Sequence, residues 1–223
     1  MEHIDMWNGG NWQRLNSNNV RMWNGNSWQR PKARIWDGHN WIECLEERHV
    51  DVFTTTGCQA YWSWGQAKDW NALVSPHRPT QGCYWPYHDS FDMNDERSMI
   101  NFDDGSIRNA LAGARIEKVE VYLYMMHSMY YSGGEAVIGT HNARGWQSRY
   151  QEANFGVARA RYYQRGQGQW IQLPNWVGDN FRDNLLSGLT VRAGDTSGYR
   201  YLWFAGSDDA DWAKPKLRFT YWK

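Results

Sequence analysis

The sequence predicts an all-β protein in which β-hairpin repeats precede an antiparallel β-sandwich of the jelly-roll type. Two observations carry this prediction. The N-terminal region repeats a Trp-flanked Asn-Gly or Asp-Gly turn, and the rest alternates apolar and polar residues in short runs that Gly, Asp and Asn clusters separate. A chain of 223 residues is long enough to bury a core without a disulfide or metal. We therefore expect hairpin repeats in residues 1–48 and a sandwich in residues 49–223.

Three copies of one unit, apolar-Trp-[Asn/Asp]-Gly-x-x-Trp, make up the N-terminal region. They occupy residues 6–14, 22–30 and 35–43. Asn-Gly and Asp-Gly favour tight hairpins because both of their residues tolerate a positive φ. Each unit therefore predicts a hairpin whose two Trp rings face each other across the strands, in the pairs Trp7 with Trp12, Trp23 with Trp28, and Trp36 with Trp41.

The paired Trp residues of the repeats allow two functions. A cross-strand aromatic pair contributes about 0.5–1 kcal/mol to a hairpin, and an isolated two-stranded hairpin is only marginally stable in water. The favoured interpretation is that the rings hold the hairpins together and against each other, the sandwich or neighbouring copies. This makes the repeats an attachment and oligomerisation region, and stacking on sugars is the alternative.

The sandwich region contains alternating strand patterns, and residues 115–126 show the clearest one. In this segment Val121 and Leu123 lie on one face, whereas Tyr122 and Tyr124 lie on the other. Turn-forming clusters such as residues 132–134, 166–168 and 207–209 separate the segments. The other predicted strands are residues 50–55, 61–64, 99–102, 136–140, 157–163, 170–173, 189–192, 199–204 and 217–222.

Two short helices are expected within this β-rich region. The run from Asp103 to Ser106 offers N-capping side chains for a helix over residues 107–112, which Gly113 ends. A second short helix is predicted over residues 181–186. Neither helix changes the all-β prediction.

Charge and cysteine content exclude several classes of protein. Lys and Arg total 24, as do Asp and Glu, so the net charge is zero and no basic block predicts binding to nucleic acid or to an anionic membrane. No segment approaches the ~18 apolar residues of a membrane helix, so membrane insertion is not expected. The N-terminus lacks the pattern of a secretory signal. The odd set Cys44, Cys58 and Cys83 leaves a Cys58–Cys83 bridge and reduced thiols as alternatives.

A dense aromatic cluster between residues 61 and 87 is the candidate binding site. Trp and Tyr rings stack on the apolar face of sugars while polar neighbours bind the hydroxyl groups, and loops at the end of a rigid sandwich often bind ligands. Packing at the sandwich edge or at a threefold axis is the alternative use of these rings. Beside Tyr61, the candidate glycan-binding residues are Trp62, Trp64, Trp70, Tyr84, Trp85 and Tyr87.

Motifs for catalysis, cofactors and metals are missing from the sequence. It has no phosphate-binding loop, dinucleotide fingerprint, nucleophile elbow or H-E-x-x-H motif. Asp89, Asp92 and Asp95 carry oxygen ligands that suit calcium, but the EF-hand pattern is absent and solvated loop acids are favoured. Cys83 and His88 do not match a tetrahedral zinc spacing. We therefore expect a non-enzymatic protein without a cofactor or metal.

Several segments of the sandwich region carry a resemblance to a known family. They are residues 102–108, 111–116, 119–124, 130–134, 138–141, 170–174 and 215–221. Together with the repeats they resemble minor tail or tail-fibre proteins of bacteriophages of actinobacteria, in which W-[ND]-G-x-x-W hairpins precede a β-sandwich. The resemblance implies a virion component, made in the host cytoplasm, that attaches the phage tail to the host cell surface.

The same resemblance implies the partners of the chain. They are two sister copies in a homotrimer, other phage tail proteins that bind the N-terminal repeats, and a host cell-wall glycan. The alternative function is a secreted carbohydrate-binding module of a polysaccharide-degrading enzyme, which the abundance of Trp also favours. A hydrolase that acts on the host envelope is the third hypothesis, and the absence of a recognisable acid/base pair counts against it.

Overall fold

The computed structural model describes residues 5–15, 20–29, 34–36, 38–43, 45–69, 74–83 and 95–223. Over these residues the chain forms antiparallel strands, two short α-helices and one 3-10 turn. Three separate hairpins come first, and two larger sheets with a shared core follow. The prediction of hairpin repeats followed by an antiparallel β-sandwich is therefore confirmed.

The hairpins have the predicted pairing of Trp with Trp. Each turn contains a glycine in the left-handed region, with φ of +94°, +99° and +100° at Gly9, Gly25 and Gly38, which is a conformation that glycine adopts without strain. Their strands are β1 (Asp5–Trp7) with β2 (Trp12–Arg14), β3 (Met22–Trp23) with β4 (Trp28–Gln29), and β5 (Arg34–Trp36) with β6 (Trp41–Glu43).

Local hydrogen bonds close these turns. The side-chain oxygen of Asn8 accepts the backbone N–H groups of Gly10 and Asn11 at 3.0 and 2.8 Å. Asn24 forms the equivalent bonds in the second hairpin, both at 2.9 Å. An Asn side chain that binds the backbone two residues ahead stabilises a turn without tertiary contacts, so the repeat determines its own shape.

The strands of the sandwich follow in chain order. They are β7 (Arg48–Thr54), β8 (Gly57–Tyr61), β9 (Thr80–Gln81), β10 (Arg97–Asn101), β11 (Arg115–Ser128), β12 (Gly134–His141), β13 (Asn154–Tyr162), β14 (Gln167–Leu173), β15 (Gly188–Arg192), β16 (Leu202–Phe204) and β17 (Lys216–Trp222). One sheet has the order β13–β12–β15–β10–β8. The other has the order β7–β17–β11–β16–β9, and β14 also pairs with β11.

The predicted boundary after residue 48 falls at the first residue of β7. Just before it, the backbone N–H of Glu47 donates to the carbonyl of Lys223 at 2.8 Å, which ties the start of the sandwich to its last strand. Glu46 forms an ion pair with Arg115 at 2.8 Å and lies 3.6 Å from Arg14 of the first hairpin. Whether the two regions are independent domains stays a prediction.

The helices differ from one another in how well the sequence predicted them. The first, α1 (Asp104–Leu111), is capped as expected, because Asp103 accepts the N–H of Ser106 at 3.0 Å. The second, α2 (Asn175–Arg182), begins well before the predicted residues 181–186. Pro174 precedes it with φ of −59°, a value that suits a helix start, so the prediction for this helix was wrong.

Two predicted strands also need correction. Residues 61–64 are not a strand, because β8 ends at Tyr61 and Gly65, with φ of +87°, donates to the carbonyl of Trp62 in a turn. Residues 199–204 form a strand only at β16, and a 3-10 turn at Gly198–Arg200 precedes it. Aromatic residues raise strand propensity, but the turn at Gly65 overrides it.

Alternating residues of the two sheets form the core between them. Phe219 of β17 contacts Phe53 of β7 and Phe181 of α2 edge to face, with ring centroids 5.9 and 5.8 Å apart. Tyr162 of the opposite sheet donates to the carbonyl of Leu123 at 2.9 Å. Sheets that pack face to face bury alternate side chains and leave the others outside. Candidate sites therefore lie on the outer face of a sheet or at the loops.

The cysteine alternatives are resolved where the structure describes them. Cys58 and Cys83 are both buried, and they do not form a disulfide with each other. Cys44 lies outside the described residues. The sandwich is therefore held together by its apolar core rather than by a Cys58–Cys83 bridge.

Candidate functional site

The six hairpin Trp residues form three nearly identical ring pairs. The centroids are 5.6, 5.7 and 5.7 Å apart and the planes are inclined by 58°, 57° and 56°. All six rings nevertheless remain 51–70% exposed, and the second ring of each pair is the more exposed one. The pairs hold the hairpins together and still offer apolar surface to a partner. Their role in oligomerisation stays a prediction.

The predicted loop cluster is described only in part. Trp70, Tyr84, Trp85 and Tyr87 lie outside the described residues. Trp62 and Trp64 do come together, with ring centroids 5.6 Å apart and planes inclined by 20°. The buried Lys68, which pairs with Glu96 at 2.5 Å, places its ammonium 4.5 Å from the centroid of the Trp62 ring. Trp64 is 59% exposed and is thus the ring that offers surface to a ligand.

Polar groups surround Trp64 in a shallow depression of about 390 Å³. Asp95 lines it and accepts the backbone N–H groups of Ala193 and Gly194, each at 3.0 Å. Burial raises the pKa of Asp95 in spite of these bonds. A glycan-binding role for Trp62 and Trp64 at this depression stays a prediction.

A second aromatic surface lies on the outer face of β11. Tyr122 and Tyr124 point away from the core, as the alternation predicts, and their register partners on β14 are Trp170 and Gly168. A Cβ atom at Gly168 would lie 2.1 Å from Oη of Tyr122 and 3.0 Å from Cδ2 of Tyr124. Because glycine has no side chain there, both rings lie over the backbone of β14.

Two Trp rings extend this surface. The Trp170 ring lies 5.4 Å from that of Tyr122, and Trp212 stands at 84° to Tyr124 with centroids 4.9 Å apart. Trp212 is 61% exposed, and its carbonyl is 3.4 Å from the ammonium of Lys216. We call these four rings the aromatic platform. Tyr122, Tyr124 and the inclined Trp170 form its floor and Trp212 its upright wall, and none of the four rings is buried in the core.

A fixed cation borders the aromatic platform. The guanidinium of Arg218 lies 4.0 Å from the centroid of the Trp170 ring, and both Nε and Nη2 are 2.8 Å from a carboxylate oxygen of Glu120. Burial by itself raises the pKa of Glu120, but bonds with Lys118 and Arg218 lower the pKa overall. Nη1 of Arg218 has no hydrogen bond to the described part of the chain, so it is available to a ligand.

A cavity of about 480 Å³ opens among the loops that follow β7, β10, β12 and β16. Cys58 lies in its wall, and burial raises the pKa of this thiol to about 12. His141 approaches Ser187 of the wall at 3.5 Å, and burial lowers the pKa of this imidazole to about 4. At neutral pH the thiol is therefore protonated and the imidazole neutral, so neither is activated for nucleophilic chemistry.

The described residues form neither a metal-binding cluster nor a membrane-spanning helix. Within the described ranges, no group of three or more His, Cys, Asp and Glu side chains is placed to hold a metal ion. Asp89, Asp92 and His88 of the sequence hypotheses lie outside those ranges. Neither described helix is long and apolar enough to cross a bilayer.

The chain has a distant likeness to solved structures. No protein family matches the sequence, and no curated protein matches it. Among solved structures, the chain is similar to a family 29 carbohydrate-binding module from Piromyces equi, with 10% sequence identity and a TM-score of 0.28 over 79% of this chain and 91% of the module. A likeness this distant does not assign a function to the chain.

The sequence contained only part of the signal for the aromatic platform. Alternation in residues 115–126 placed Tyr122 and Tyr124 outside, but residues 166–168 had the composition of a turn. The structure assigns Gly168 to β14. A glycine inside a strand commonly marks the close approach of another group, and here that group is a pair of tyrosine rings brought near by strand register.

Proposed function

We propose that this protein binds a glycan without modifying it, and that the aromatic platform is the contact surface. The observation that carries the proposal is the pair of tyrosine rings laid over Gly168. Pyranose sugars have an apolar C–H face that fits against a flat ring, and Trp and Tyr combine such a face with a polar edge. A few oriented polar groups beside aromatic surface are typical of ligand sites.

Arg218 supplies the oriented polar group. Its ion pair with Glu120 fixes the guanidinium over Trp170, and its remaining Nη1 donor lies at the border of the aromatic platform. A second cation, Lys216, is 5.6 Å from the centroid of the Tyr122 ring. Both cations donate hydrogen bonds, so they suit the hydroxyl oxygens of a sugar bound across the rings.

A non-catalytic role agrees with the ionisation of Glu120. Glycoside hydrolysis needs a protonated general acid and a second carboxyl group about 5–9.5 Å from it. The bonds that lower the pKa of Glu120 keep it ionised at neutral pH. Glu120 therefore orients Arg218 and does not donate a proton to a leaving group.

We further propose that the chain is a subunit of a phage tail tip or fibre, assembled as a homotrimer in the virion, which attaches the particle to a host cell-wall glycan. The sequence resemblance supports this role. The exposed hairpin rings support it independently, because exposed apolar patches mark interaction surfaces and aromatic residues are enriched at interfaces. In this arrangement the hairpins bind sister copies and other tail proteins.

A secreted carbohydrate-binding module of a polysaccharide-degrading enzyme is the second candidate, since the aromatic platform serves that function equally well. Oligomeric state separates the two candidates. Size-exclusion chromatography with light scattering gives a trimer if the chain is a fibre subunit. A stable monomer at micromolar concentration contradicts the trimer and favours the module.

The glycan proposal is tested by retention on purified bacterial cell-wall polysaccharide in affinity electrophoresis. Trp212→Ala and Tyr124→Ala should each weaken binding about tenfold, or about 1.4 kcal/mol, because each removes a ring of the aromatic platform. Tyr131→Ala removes an exposed ring elsewhere and is the matched control. Unchanged retention of both variants would reject the aromatic platform as the glycan site. Loss of retention in Trp64→Ala alone would place the glycan site at the predicted loop cluster. Release of reducing ends by the wild-type protein contradicts the non-catalytic role.

A further inference from the structure

The cavity among the sandwich loops shares no residue with the aromatic platform. Its volume of about 480 Å³ lies within the range of roughly 300–1,000 Å³ that small-molecule sites occupy. Strand ends and loops contribute residues 56–59, 101, 102, 104 and 143–146 to the wall, together with His77 and the pair Ser207 and Asp208. Polar side chains from distant parts of the sequence thus converge on one half-open recess.

Trp146 lies at the cavity and is held by one edge of its ring. Its Nε1 donates to the side-chain oxygen of Gln59 at 3.3 Å. Gln59 is itself buried, and its amide nitrogen donates to the carbonyls of Ala60 at 2.7 Å and Lys68 at 3.1 Å. Trp146 nevertheless remains 68% exposed. A ring that is anchored by its edge and exposed over most of its surface suits stacking on a sugar.

His77, Asp208, Arg144 and Asp104 form two pairs in the wall of the cavity. Nδ1 of His77 lies 2.6 Å from a carboxylate oxygen of Asp208, and Nε of Arg144 donates to Asp104 at 2.8 Å. A charged ligand would compete with these pairs for its own partner. A neutral molecule with many hydroxyl groups would instead form hydrogen bonds with lone pairs and N–H groups of the wall that these two pairs do not use.

One buried polar atom of the wall lacks a partner. The side-chain oxygen of Asn101 is buried and accepts no hydrogen bond from the described residues, whereas its backbone carbonyl accepts from Thr55 Oγ1 at 2.8 Å and from Thr56 N at 3.0 Å. A buried acceptor without a donor is unfavourable until a donor reaches it. Oδ1 of Asn101 is closed to solvent, so a ligand reaches it only if the wall moves.

We propose that this cavity is a second carbohydrate site, which takes one terminal sugar unit of a neutral glycan with Trp146 stacked on its apolar face. The proposal rests on the proposed function for the class of ligand and adds a site of different geometry. The aromatic platform is open along its length and fits the middle of a glycan chain, whereas the cavity is a deeper, half-open recess and fits its end. Two sites on one chain would raise the apparent affinity for a branched or multivalent surface.

Ligand-observed NMR and calorimetry with free glucose, galactose, N-acetylglucosamine and rhamnose test the cavity directly. We expect the wild-type protein to bind one of these sugars with a dissociation constant on the order of 1 mM. Trp146→Ala should weaken this binding at least tenfold, and Trp146→Phe should retain part of it because a flat ring remains. Tyr131→Ala, which removes an exposed ring outside both the cavity and the aromatic platform, is the matched control and should bind the free sugar normally.

The outcomes separate this proposal from the proposed function. The cavity proposal is wrong if Trp146→Ala binds the sugar as well as the wild type does. It is also wrong if the wild type binds none of the four sugars at a sugar concentration of about 20 mM, which is 20 times the expected dissociation constant. In either case, loss of polysaccharide retention in Trp212→Ala still supports the aromatic platform. If the sugar binds through Trp146 but retention is independent of Trp212, the cavity proposal stands and the platform fails.

Discussion

The hairpins and the sandwich use tryptophan in opposite ways. Each hairpin ring has its partner across a short turn, and the three pairs have almost the same distance and angle. In the sandwich, Trp170 meets Tyr122 from one strand and Arg218 from another. Repeated local sequence thus produces repeated local geometry, whereas a single surface such as the aromatic platform depends on strands brought together from distant parts of the chain.

Cooperativity should differ between the two regions for the same reason. The hairpins are closed by their own hydrogen bonds and ring pairs, so a change in one affects that hairpin. The sandwich has one shared core, so a change there affects the whole sandwich.

The largest effect is expected at the centre of the core. Phe219→Ala removes a fully buried ring that contacts Phe53 and Phe181, and such substitutions cost about 3–5 kcal/mol because a cavity remains. Urea unfolding followed by near-UV circular dichroism measures the loss. In the native baseline, the signal from the hairpin Trp pairs should stay unchanged. A loss below about 1 kcal/mol would contradict a single cooperative core.

Acid should destabilise the sandwich through His141. Burial lowers the pKa of this imidazole from 6.5 to about 4, so between these pH values the unfolded state binds the extra proton. The free energy of unfolding therefore falls as the pH falls through this window, by up to about 3 kcal/mol for this residue. Urea midpoints at pH 7.5 and 4.5 measure the change.

His141→Gln is the control for the acid effect, because it removes the titration and keeps a donor for the carbonyl of Ile100, which His141 contacts at 3.3 Å. Carboxylates such as Asp209, whose pKa the bond from Arg78 lowers, weaken both proteins in acid alike. The difference between the two proteins therefore isolates His141. Parallel pH curves would show that His141 is not the cause.

Gly168→Ala should weaken glycan binding about tenfold, which corresponds to about 1.4 kcal/mol. The added Cβ would lie 2.1 Å from Oη of Tyr122, so the ring has to leave the backbone of β14 and the platform floor is lost. Affinity electrophoresis on cell-wall polysaccharide measures the change, and Gly105→Ala in α1, where the nearest atom to an added Cβ is 3.4 Å away, is the matched control. Equal affinity of the two variants would show that the floor of the aromatic platform does not contribute to glycan binding.

The smallest effect on the whole molecule is expected for Gly25→Ala. No atom crowds a Cβ at this position, but φ of +99° is a backbone conformation that costs a non-glycine residue about 1–2 kcal/mol. The cost falls on the second hairpin alone. Circular dichroism should lose part of the coupled Trp signal, while the urea midpoint of the sandwich stays unchanged. A shift of that midpoint would show that the hairpins and the sandwich unfold together.

The sequence predicted those features that depend on neighbours in the chain. The Trp pairs, the cap at Asp103 and the alternation of β11 all follow from residues within a few positions of one another. Two predictions failed where Gly65 and Pro174 outweigh the propensity of the residues around them. The aromatic run after Tyr61 forms a turn rather than a strand, and α2 begins at Asn175 rather than near Phe181.

The candidate sites show the same division. Trp62 and Trp64, close in sequence, were predicted to lie together and they do. The aromatic platform and the cavity were not predicted as sites, although Tyr122 and Tyr124 were placed on the outer face. The missing information was the register of β14 against β11 and the convergence of loops on Trp146 and Gln59. Neither can be derived from local patterns.

Taken alone, the sequence determined that this protein is all-β, that it begins with three Trp-paired hairpins, and which residues of its longest strand face outward. It did so because turn chemistry and side-chain alternation act over a few residues. Only the tertiary structure decided that Gly168 lies beneath two tyrosine rings and that a buried glutamine anchors Trp146. These contacts join residues far apart in the chain, and packing of the whole sandwich selects them.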